Sequence, residues 1–201
     1  WEKLDAITTP AQKEMDRRLQ GLHALGHSPI LGVHIFLDRQ VLQRPHLVLP
    51  GRPTQWIFNK GANQQGHQHL HAVISAADEW LDLDEAAISK RVMEDLIWAC
   101  PNAHSAELIS MRPVKERRAT FRATPKAERV RPYAAPNRVG NDGGDIESLF
   151  LAGDYCRTGW PATMEGAVRS GYLAAEAITN TTVLVDDCPT GWLVNLLSGS
   201  Q

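Results

Sequence analysis

The stretch that decides the fold runs from Leu149 to Ile178 and reads LFLAGDYCRTGWPATMEGAVRSGYLAAEAI. Its first four residues, Leu149 to Ala152, are apolar and predict a short buried strand that delivers Gly153 and Asp154 to a loop. A glycine lets the backbone approach a ligand closely, and an aspartate carboxylate accepts hydrogen bonds from hydroxyl groups. The turn therefore suits a polyol ligand.

The second half of this stretch predicts a helix from Thr163 to Ile178, because apolar or small residues recur on one helical face. These residues are Met164, Val168, Gly171, Ala175 and Ile178. The free amides and the macrodipole at the start of a helix favour partial negative charge there. The predicted order is strand, loop, helix.

This order, together with the AGD turn, the loop Thr158-Gly159-x-Pro161 and the run MEGA-x-x-SG, resembles the C-terminal FAD-binding motif of the amine oxidase and phytoene desaturase superfamily. The resemblance implies FAD as the cofactor. It places Gly153 and Asp154 at the ribityl chain. It places Trp160 and Pro161 around the isoalloxazine ring. It also places the helix start at Thr163 and the backbone amide of Met164 near that ring. Alone, the Gly-Asp turn and the helix are ordinary packing features, but their combination indicates a flavin site.

Other segments look like those of the hydroxysqualene dehydroxylases, which are squalene-associated members of that superfamily. The matching runs are Gly26 to Ile30 (GHSPI), Asp38 to Leu42 (DRQVL), Gly51 to Gly61 (GRPTQWIFNKG) and Lys115 to Pro125 (KERRATFRATP). The resemblance implies an FAD-dependent oxidoreductase that removes the hydroxyl of hydroxysqualene, an apolar isoprenoid, on the route to hopanoids. A carotenoid-type desaturase and a non-catalytic lipid-binding or interaction fragment are the alternatives.

The acid that protonates the leaving hydroxyl is left open, with Tyr155, Arg122 and Glu165 as unranked candidates. Members of the superfamily begin with a Rossmann unit whose G-x-G-x-x-G turn holds the FAD pyrophosphate. This sequence has no such motif, since Gly140 to Gly144 (GNDGG) has the wrong spacing. We therefore expect a C-terminal portion of an enzyme, with an N-terminal Rossmann half as its missing partner.

The remaining periodicity predicts an α+β fold. Helices are expected at Pro10 to Leu22, after a Thr9–Gln12 capping box, and at Asp84 to Ala99. An antiparallel sheet is expected from residues 28–37, 55–59, 70–75 and 108–122, with a short edge piece at 47–49, and a loop from Pro125 to Asp145. The expected division is a substrate-binding portion over 1–148, an FAD-domain segment over 149–180 and a tail over 181–201.

Composition excludes some classes of function. The 201 residues are 43% apolar and 22% charged with a net charge of −2, so no global field points to nucleic acid. Nine basic and two acidic residues lie between Arg112 and Arg138. A solvated face explains this excess, although contact with anionic lipid headgroups suits an insoluble substrate. No leader or membrane-spanning run is apparent, so we expect a cytoplasmic protein, peripheral at most to the inner face of the membrane.

Two further patterns have simpler explanations. His67, His69 and His71 alternate and predict a row on one strand face, which could hold a metal. Since no carboxylate or cysteine cluster accompanies them, we expect a solvated or edge-strand row and no metal. Cys156 lies close to the expected flavin, but without a second cysteine or a histidine beside it we expect a packing role.

Overall fold

The computed structural model describes residues 1–136, 146–189 and 191. The chain forms two compact units. The sheet unit is Ala24–Ala127, and the helical unit combines Trp1–His23 with Glu128–Gln201. The assignment of ranges 1–148, 149–180 and 181–201 to a substrate portion, a flavin segment and a tail stays a prediction.

The sheet unit is built on five antiparallel strands: β1 (His27–Leu37), β2 (His46–Val48), β3 (Trp56–Ala62), β4 (Gln68–Ser75) and β5 (Leu108–Phe121). Their order across the sheet is β2-β3-β4-β1-β5. The predicted α+β class, the antiparallel sheet and the short edge strand are confirmed. The range expected at 108–122 forms one long strand, β5.

One face of this sheet forms the hydrophobic core. Alternate residues of β1, from Leu31 to Leu37, are fully buried, as period-two patterning predicts. Helix α1 of this unit (Glu85–Ala99) covers them with Ile88, Val92 and Leu96. Its start is confirmed, because the Asp84 side chain accepts a hydrogen bond of 2.7 Å from the amide of Ala87.

The opposite face of the sheet, here called the open face, carries aromatic and aliphatic side chains that are half-buried or exposed. Cross-strand pairs place Gly32 beside Val73 and Val114, and Phe36 beside His69. The open face also carries Val48, Trp56, Phe58, His34 and His71. Along β5 the same face carries the polar residues Ser110, Arg112 and Glu116. The aromatic part of the open face therefore lies over β1, β3 and β4.

The expected edge-strand histidine row is wrong in one respect. β4 lies between β3 and β1, so it is an inner strand, and His69 and His71 are half-buried.

Two short 3₁₀ helices, Asp78–Trp80 and Pro101–Ser105, complete the connections of this unit. Within the described ranges, no group of three or more His, Cys, Asp or Glu side chains is arranged to hold a metal.

The basic excess between Arg112 and Arg138 does not form one free charged surface. Lys115 donates hydrogen bonds to the carbonyls of Leu81 and Leu83. Arg122 forms an ion pair with Asp78, and Arg131 is buried. Several of these charges are thus used internally, and membrane contact stays a prediction.

The helical unit begins with short helices at Glu2–Ile7, Pro10–Met15 and Arg17–Gln20, followed by a 3₁₀ turn at Leu22–Ala24. The Thr9–Gln12 capping box is confirmed. The single helix expected from Pro10 to Leu22 is wrong, because the chain leaves helical geometry at Asp16, whose side chain caps the following turn through the amide of Arg18.

The C-terminal part of the helical unit ends in helix α2 (Met164–Thr179), as predicted. A six-residue helix, α3 (Pro125–Val130), crosses the boundary between the units and occupies part of the expected loop, whose residues 137–145 lie outside the described ranges.

The strand expected at Leu149–Ala152 is wrong. A strand requires a ladder of hydrogen bonds to a neighbour. Here the segment has one such bond to another part of the chain, from the amide of Leu151 to the carbonyl of Ala134 at 2.8 Å. Among its four residues only Leu151 is buried, and the segment has no regular secondary structure.

Candidate functional site

The candidate site is the loop from Gly153 to Gly166, which follows the Leu149–Ala152 segment and includes the first turn of helix α2. Gly153 has φ of +156°, a conformation that favours glycine, and a Cβ there would lie 2.7 Å from Cδ1 of Tyr155. Its amide donates a 2.8 Å hydrogen bond to Oγ of Ser170, a buried residue of α2. The turn at Gly153 is therefore fixed to the helix that follows it.

Arg131 organises the loop from behind. Its side chain is buried, with 4% of the residue exposed, and its guanidinium donates to main-chain carbonyls. The donor–acceptor distances are 3.1 Å to Asp154 and 2.9 Å to Trp160, with further bonds to the carbonyls of Tyr155 and Cys156. An ion pair of 2.7 Å with Glu128 balances the charge. One cation thus holds four carbonyls of the loop.

The start of α2 is equally constrained. The Thr163 hydroxyl accepts from the amide of Gly166 at 3.1 Å. A Cβ on Gly166 would lie 2.7 Å from the carbonyl oxygen of Pro161, so this close approach requires glycine. The amides of Met164 and Glu165, the first two of the helix, have no intrahelical acceptor and can bind an anionic or carbonyl oxygen.

The side chains around this helix start are accessible. The residue Met164 is 88% exposed and Trp160 is 38% exposed. The Arg169 guanidinium lies 5.1 Å from the centre of the Trp160 ring and pairs with Glu165 at 2.7 Å and Asp187 at 2.5 Å. Asp154 is half-buried. The six expected cofactor residues, Gly153, Asp154, Trp160, Pro161, Thr163 and Met164, thus share one loop and helix start.

The three candidate acids lie in different chemical environments. Burial, and then the neighbouring charges of Cys156 and Asp154, raise the pKa of Tyr155 to about 12, which makes it a poor proton donor near neutrality. Glu165 is engaged by Arg169. Arg122 belongs to the sheet unit, where a hydrogen bond to Asp78 raises its pKa still further.

Cys156 packs in the interior. It is fully buried, and burial raises the pKa of its thiol to about 12. A thiol in this state is not nucleophilic at neutral pH. The packing role expected from the sequence fits this environment.

A second buried pair supports the segment before the loop. Arg18 binds Asp16 at 2.6 Å and donates to the carbonyl of Leu149 at 2.9 Å. The amide of Ile146 in turn donates to the Asp16 carboxylate at 3.2 Å. The entry to the loop is therefore anchored by residues about 130 positions earlier in the sequence.

Sequence reasoning missed Arg131 and the Asp16–Arg18 pair. Nothing in the local pattern distinguishes a buried arginine from a solvated one, since Arg131 lies in a basic, proline-containing stretch. Acidic and basic residues are mixed around Arg18, so the local sequence does not indicate that Arg18 and Asp16 form a buried pair. Both residues act on backbone groups far away in sequence, which only the folded chain brings together.

The donor and acceptor set of this loop fits a flavin. The half-buried Asp154 carboxylate suits ribityl hydroxyls, and the two unpaired first-turn amides suit an electron-rich carbonyl edge of a ring. Trp160 offers an aromatic surface at the same place. These residues could hold the ribityl and ring portions of FAD.

The fold and the chemistry of this loop are consistent with a flavoprotein of the oxidoreductase class. Residues 7–179 match the family described as flavin containing amine oxidoreductase, and the chain belongs to that family. The expectation of FAD as the family's cofactor, and of an oxidoreductase family, is thereby confirmed.

Among curated proteins, the chain is similar to a hydroxysqualene dehydroxylase of Sinorhizobium fredii, at 34% identity over 153 residues, covering 76% of this chain and 33% of the relative. It is also similar to a 15-cis-phytoene desaturase of an Oncidium hybrid cultivar, at 29% identity over 171 residues, covering 79% of this chain and 28% of the relative. The chain thus spans about a third of the length of these relatives.

Among solved structures, a variant of putrescine oxidase with redesigned cofactor binding superposes with a TM-score of 0.57 at 16% identity, covering 83% of this chain and 39% of the other. This likeness shows the fold alone.

No helix in the described part of the chain is long and apolar enough to cross a bilayer.

Proposed function

We propose that this chain is a portion of an FAD-dependent oxidoreductase that acts on an isoprenoid chain, and that its reaction is the reductive dehydroxylation of hydroxysqualene to squalene, in hopanoid biosynthesis. The observation that carries the proposal is the loop from Gly153 to Gly166, whose hydrogen bonds fix a carboxylate and a helix start at one place. The similarity to a hydroxysqualene dehydroxylase supports the choice of substrate.

The roles of the residues follow from their chemistry. The Asp154 carboxylate binds ribityl hydroxyls, and the amides of Met164 and Glu165 bind the carbonyl edge of the ring. Trp160 and Pro161 border the ring, while Thr163 caps the helix. When bound and reduced, FAD supplies a hydride to carbon as the hydroxyl departs with a proton as water.

The open face of the sheet unit provides a surface for an apolar chain. Phe36, Trp56 and Val114 are exposed on it, and Phe58 and Val73 are half-buried. Aromatic and aliphatic side chains bind a hydrocarbon by burying apolar area. This surface supports an isoprenoid substrate in preference to a small polar amine.

The proposal requires a partner half. A G-x-G-x-x-G unit binds the pyrophosphate of FAD in such enzymes, and the present sequence has no such motif. We propose that a Rossmann unit of the same gene product, or a separate chain, supplies it. Contact with anionic lipid through exposed basic residues such as Arg117 belongs to the same proposal, because squalene-sized substrates partition into membranes.

A carotenoid-type desaturase is the second candidate, and the similarity to phytoene desaturases favours it. A desaturase removes two hydrogens from a polyprenyl chain, whereas a dehydroxylase replaces a hydroxyl with hydrogen. Both reactions use the same flavin loop and the same apolar surface. Product analysis separates them.

The test uses the full-length gene product, reduced anaerobically and incubated with hydroxysqualene. We expect squalene, identified by mass spectrometry, with turnover strongly lowered in Asp154→Ala. Parallel incubation of the oxidised protein with phytoene should give no additional double bond. Desaturated phytoene without squalene would support the desaturase instead, and neither product would favour a non-catalytic lipid-binding role.

A further inference from the structure

Three histidines from two strands form one cluster on the open face. Nδ1 of His34 on β1 and Nε2 of His69 on β4 lie 3.0 Å apart, so one ring donates a hydrogen bond to the other. The ring of His71 stacks on His34 with a centroid distance of 4.4 Å and an angle of 4° between planes. The sequence pattern, which showed only the alternation on β4, did not include His34.

The cluster is fitted into the sheet. A Cβ on Gly32 would lie 2.8 Å from Nε2 of His71, so the glycine makes room for that ring. On the other side, Phe36 stacks on His69 with a centroid distance of 4.4 Å. These contacts hold the rings in place against apolar neighbours, unlike a freely solvated row.

The environment of His69 and His71 favours their neutral form. Burial, followed by the nearby charge of His34 and of Lys60, lowers the pKa values of His69 and His71 below their ordinary value. A neutral imidazole carries one N–H donor and one bare nitrogen acceptor. Because one ring nitrogen of each partner is used within the hydrogen-bonded pair, the other nitrogen of each ring remains for a further partner, as a donor on one ring and an acceptor on the other when both rings are neutral.

A groove of about 460 Å³ opens beside His69. Phe36, Ala62 and Ile109 give it apolar walls, while Lys60, His67 and Ser110 add polar groups. Its volume is in the range of small-molecule sites, which are mostly apolar with a few placed polar groups. The groove lies within the sheet unit and is formed by β1, β3, β4 and β5.

We propose that the His34–His69 pair is a hydroxyl-binding subsite beside the aromatic side chains of the open face, and that it selects an isoprenoid alcohol over the corresponding hydrocarbon. The inference rests on the proposed function and names the substrate class of that same surface. It assigns a specificity role to two residues that the flavin loop does not include.

The physical basis is the asymmetry of hydrogen bonding. An alcohol can donate to the free imidazole nitrogen or accept from the free N–H, and so replaces water lost from the pair. A hydrocarbon covers the pair without replacing that water, which leaves a polar group unsatisfied. The subsite therefore discriminates against the substrate of a desaturase, which has no hydroxyl.

The experiment measures binding of farnesol and of farnesene, which have the same carbon number, to the chain of 201 residues by titration calorimetry in dilute detergent. We expect the wild-type chain to bind farnesol about five- to tenfold more tightly than farnesene. His69→Phe keeps an aromatic ring on Phe36 but removes the nitrogen atoms. In this variant, farnesol binding should fall to about the level of farnesene, while farnesene binding is retained.

A second variant and a matched control complete the design. His34→Phe removes the other half of the pair and should abolish the same preference, which guards against a folding defect in one variant. His46→Phe, on the edge strand β2 of the same sheet, should retain the alcohol preference. Circular dichroism checks that each variant is folded.

Two results would overturn the inference: equal binding of both ligands by the wild-type chain, or an alcohol preference that survives in both His69→Phe and His34→Phe. Neither result contradicts the proposed flavin-dependent reaction, which is judged separately by squalene formation. Conversely, alcohol preference without turnover would support the subsite and contradict the reaction.

Discussion

The guanidinium of Arg131 donates a 3.1 Å hydrogen bond to the main-chain carbonyl of Asp154, so a buried cation fixes the backbone of the residue proposed to bind the ribityl chain. The same guanidinium reaches the carbonyl of Trp160 at the far side of the loop. Two proposed cofactor residues that are six positions apart thus share one anchor.

Replacing Asp154 should weaken FAD binding. A carboxylate bonded to ribityl hydroxyls forms charge-assisted hydrogen bonds, so Asp154→Ala should cost about 1.5 to 3 kcal/mol of FAD affinity in the full-length gene product. Asp154→Asn keeps an acceptor and should cost less. Flavin titration of the apo-protein measures both. Asp186→Ala, at an exposed position of the tail, should change affinity by less than about 0.5 kcal/mol. Unchanged affinity in a folded Asp154→Ala protein would falsify the ribityl assignment.

Arg131 and Asp154 should be energetically coupled in FAD binding. If Arg131 acts by positioning Asp154, then Arg131→Met in an Asp154→Ala background should cost less affinity than in the wild-type background, with a coupling energy of about 1 kcal/mol. A purely structural role would give additive losses. Arg129→Met, an exposed arginine of helix α3, is the control and should give neither loss nor coupling. The measurement is a double-mutant cycle of FAD dissociation constants.

The two glycines of helix α2 should respond oppositely to alanine. At Gly166 a Cβ would meet the carbonyl of Pro161, so Gly166→Ala should lower the free energy of unfolding by about 1 to 3 kcal/mol. At Gly171 nothing lies within 4 Å of a Cβ, so Gly171→Ala should raise stability by about 0.5 to 1 kcal/mol through helix propensity. Urea unfolding of the two variants checks the signs. Similar effects at both positions would contradict the close approach at Gly166.

The buried Asp16 should make stability depend on pH in the acid range. Burial alone would raise its pKa, but the hydrogen bonds and charge of Arg18, with the Ile146 amide, lower it below 3.8. Since the folded pKa lies below the unfolded value, this stabilisation is complete above the unfolded pKa and is lost as pH falls through the folded one.

We therefore expect Asp16→Asn to be less stable than wild type near neutral pH and to lose less stability than wild type between about pH 5 and about pH 3. Urea unfolding at a series of pH values gives the comparison. Asp186→Asn, in the exposed tail, should follow the wild-type curve. A parallel decline in Asp16→Asn and wild type would show that other groups determine the acid sensitivity.

Much of the sheet unit could be predicted from local pattern. The alternation from Leu31 to Leu37 specifies a strand with one buried face, and the aspartate at position 84 marks the start of the long helix. The loop proposed to bind flavin could be located from the AGD turn and the helix that follows it, although the strand expected before them is absent. These features depend on residues that are close together in the sequence.

The remainder depends on distant partners. Leu149–Ala152 is apolar enough for a strand. A strand also needs a hydrogen-bonded neighbouring strand, and the local sequence does not reveal whether one is present. In the sequence, Arg131 cannot be distinguished from a surface arginine. Its role follows from four main-chain carbonyls that only the folded chain brings to its guanidinium. The pairing of His34 with His69 follows from strand register between β1 and β4, which no periodicity within one strand reveals.

The link from Arg18 to the carbonyl of Leu149 also determines the order in which this chain can fold. It joins segments separated by 131 positions, and the contiguous sheet unit lies between them. On the ribosome, Ala24–Ala127 is synthesised in full before Leu149 emerges. Until then, Arg18 in the Trp1–His23 segment cannot form its hydrogen bond to Leu149. Early folding of the sheet brings positions 24 and 127 to fixed places and shortens the effective loop that the Arg18 contact must close. The helical unit, which is discontinuous in sequence, therefore closes a shorter effective loop once the contiguous sheet unit has folded.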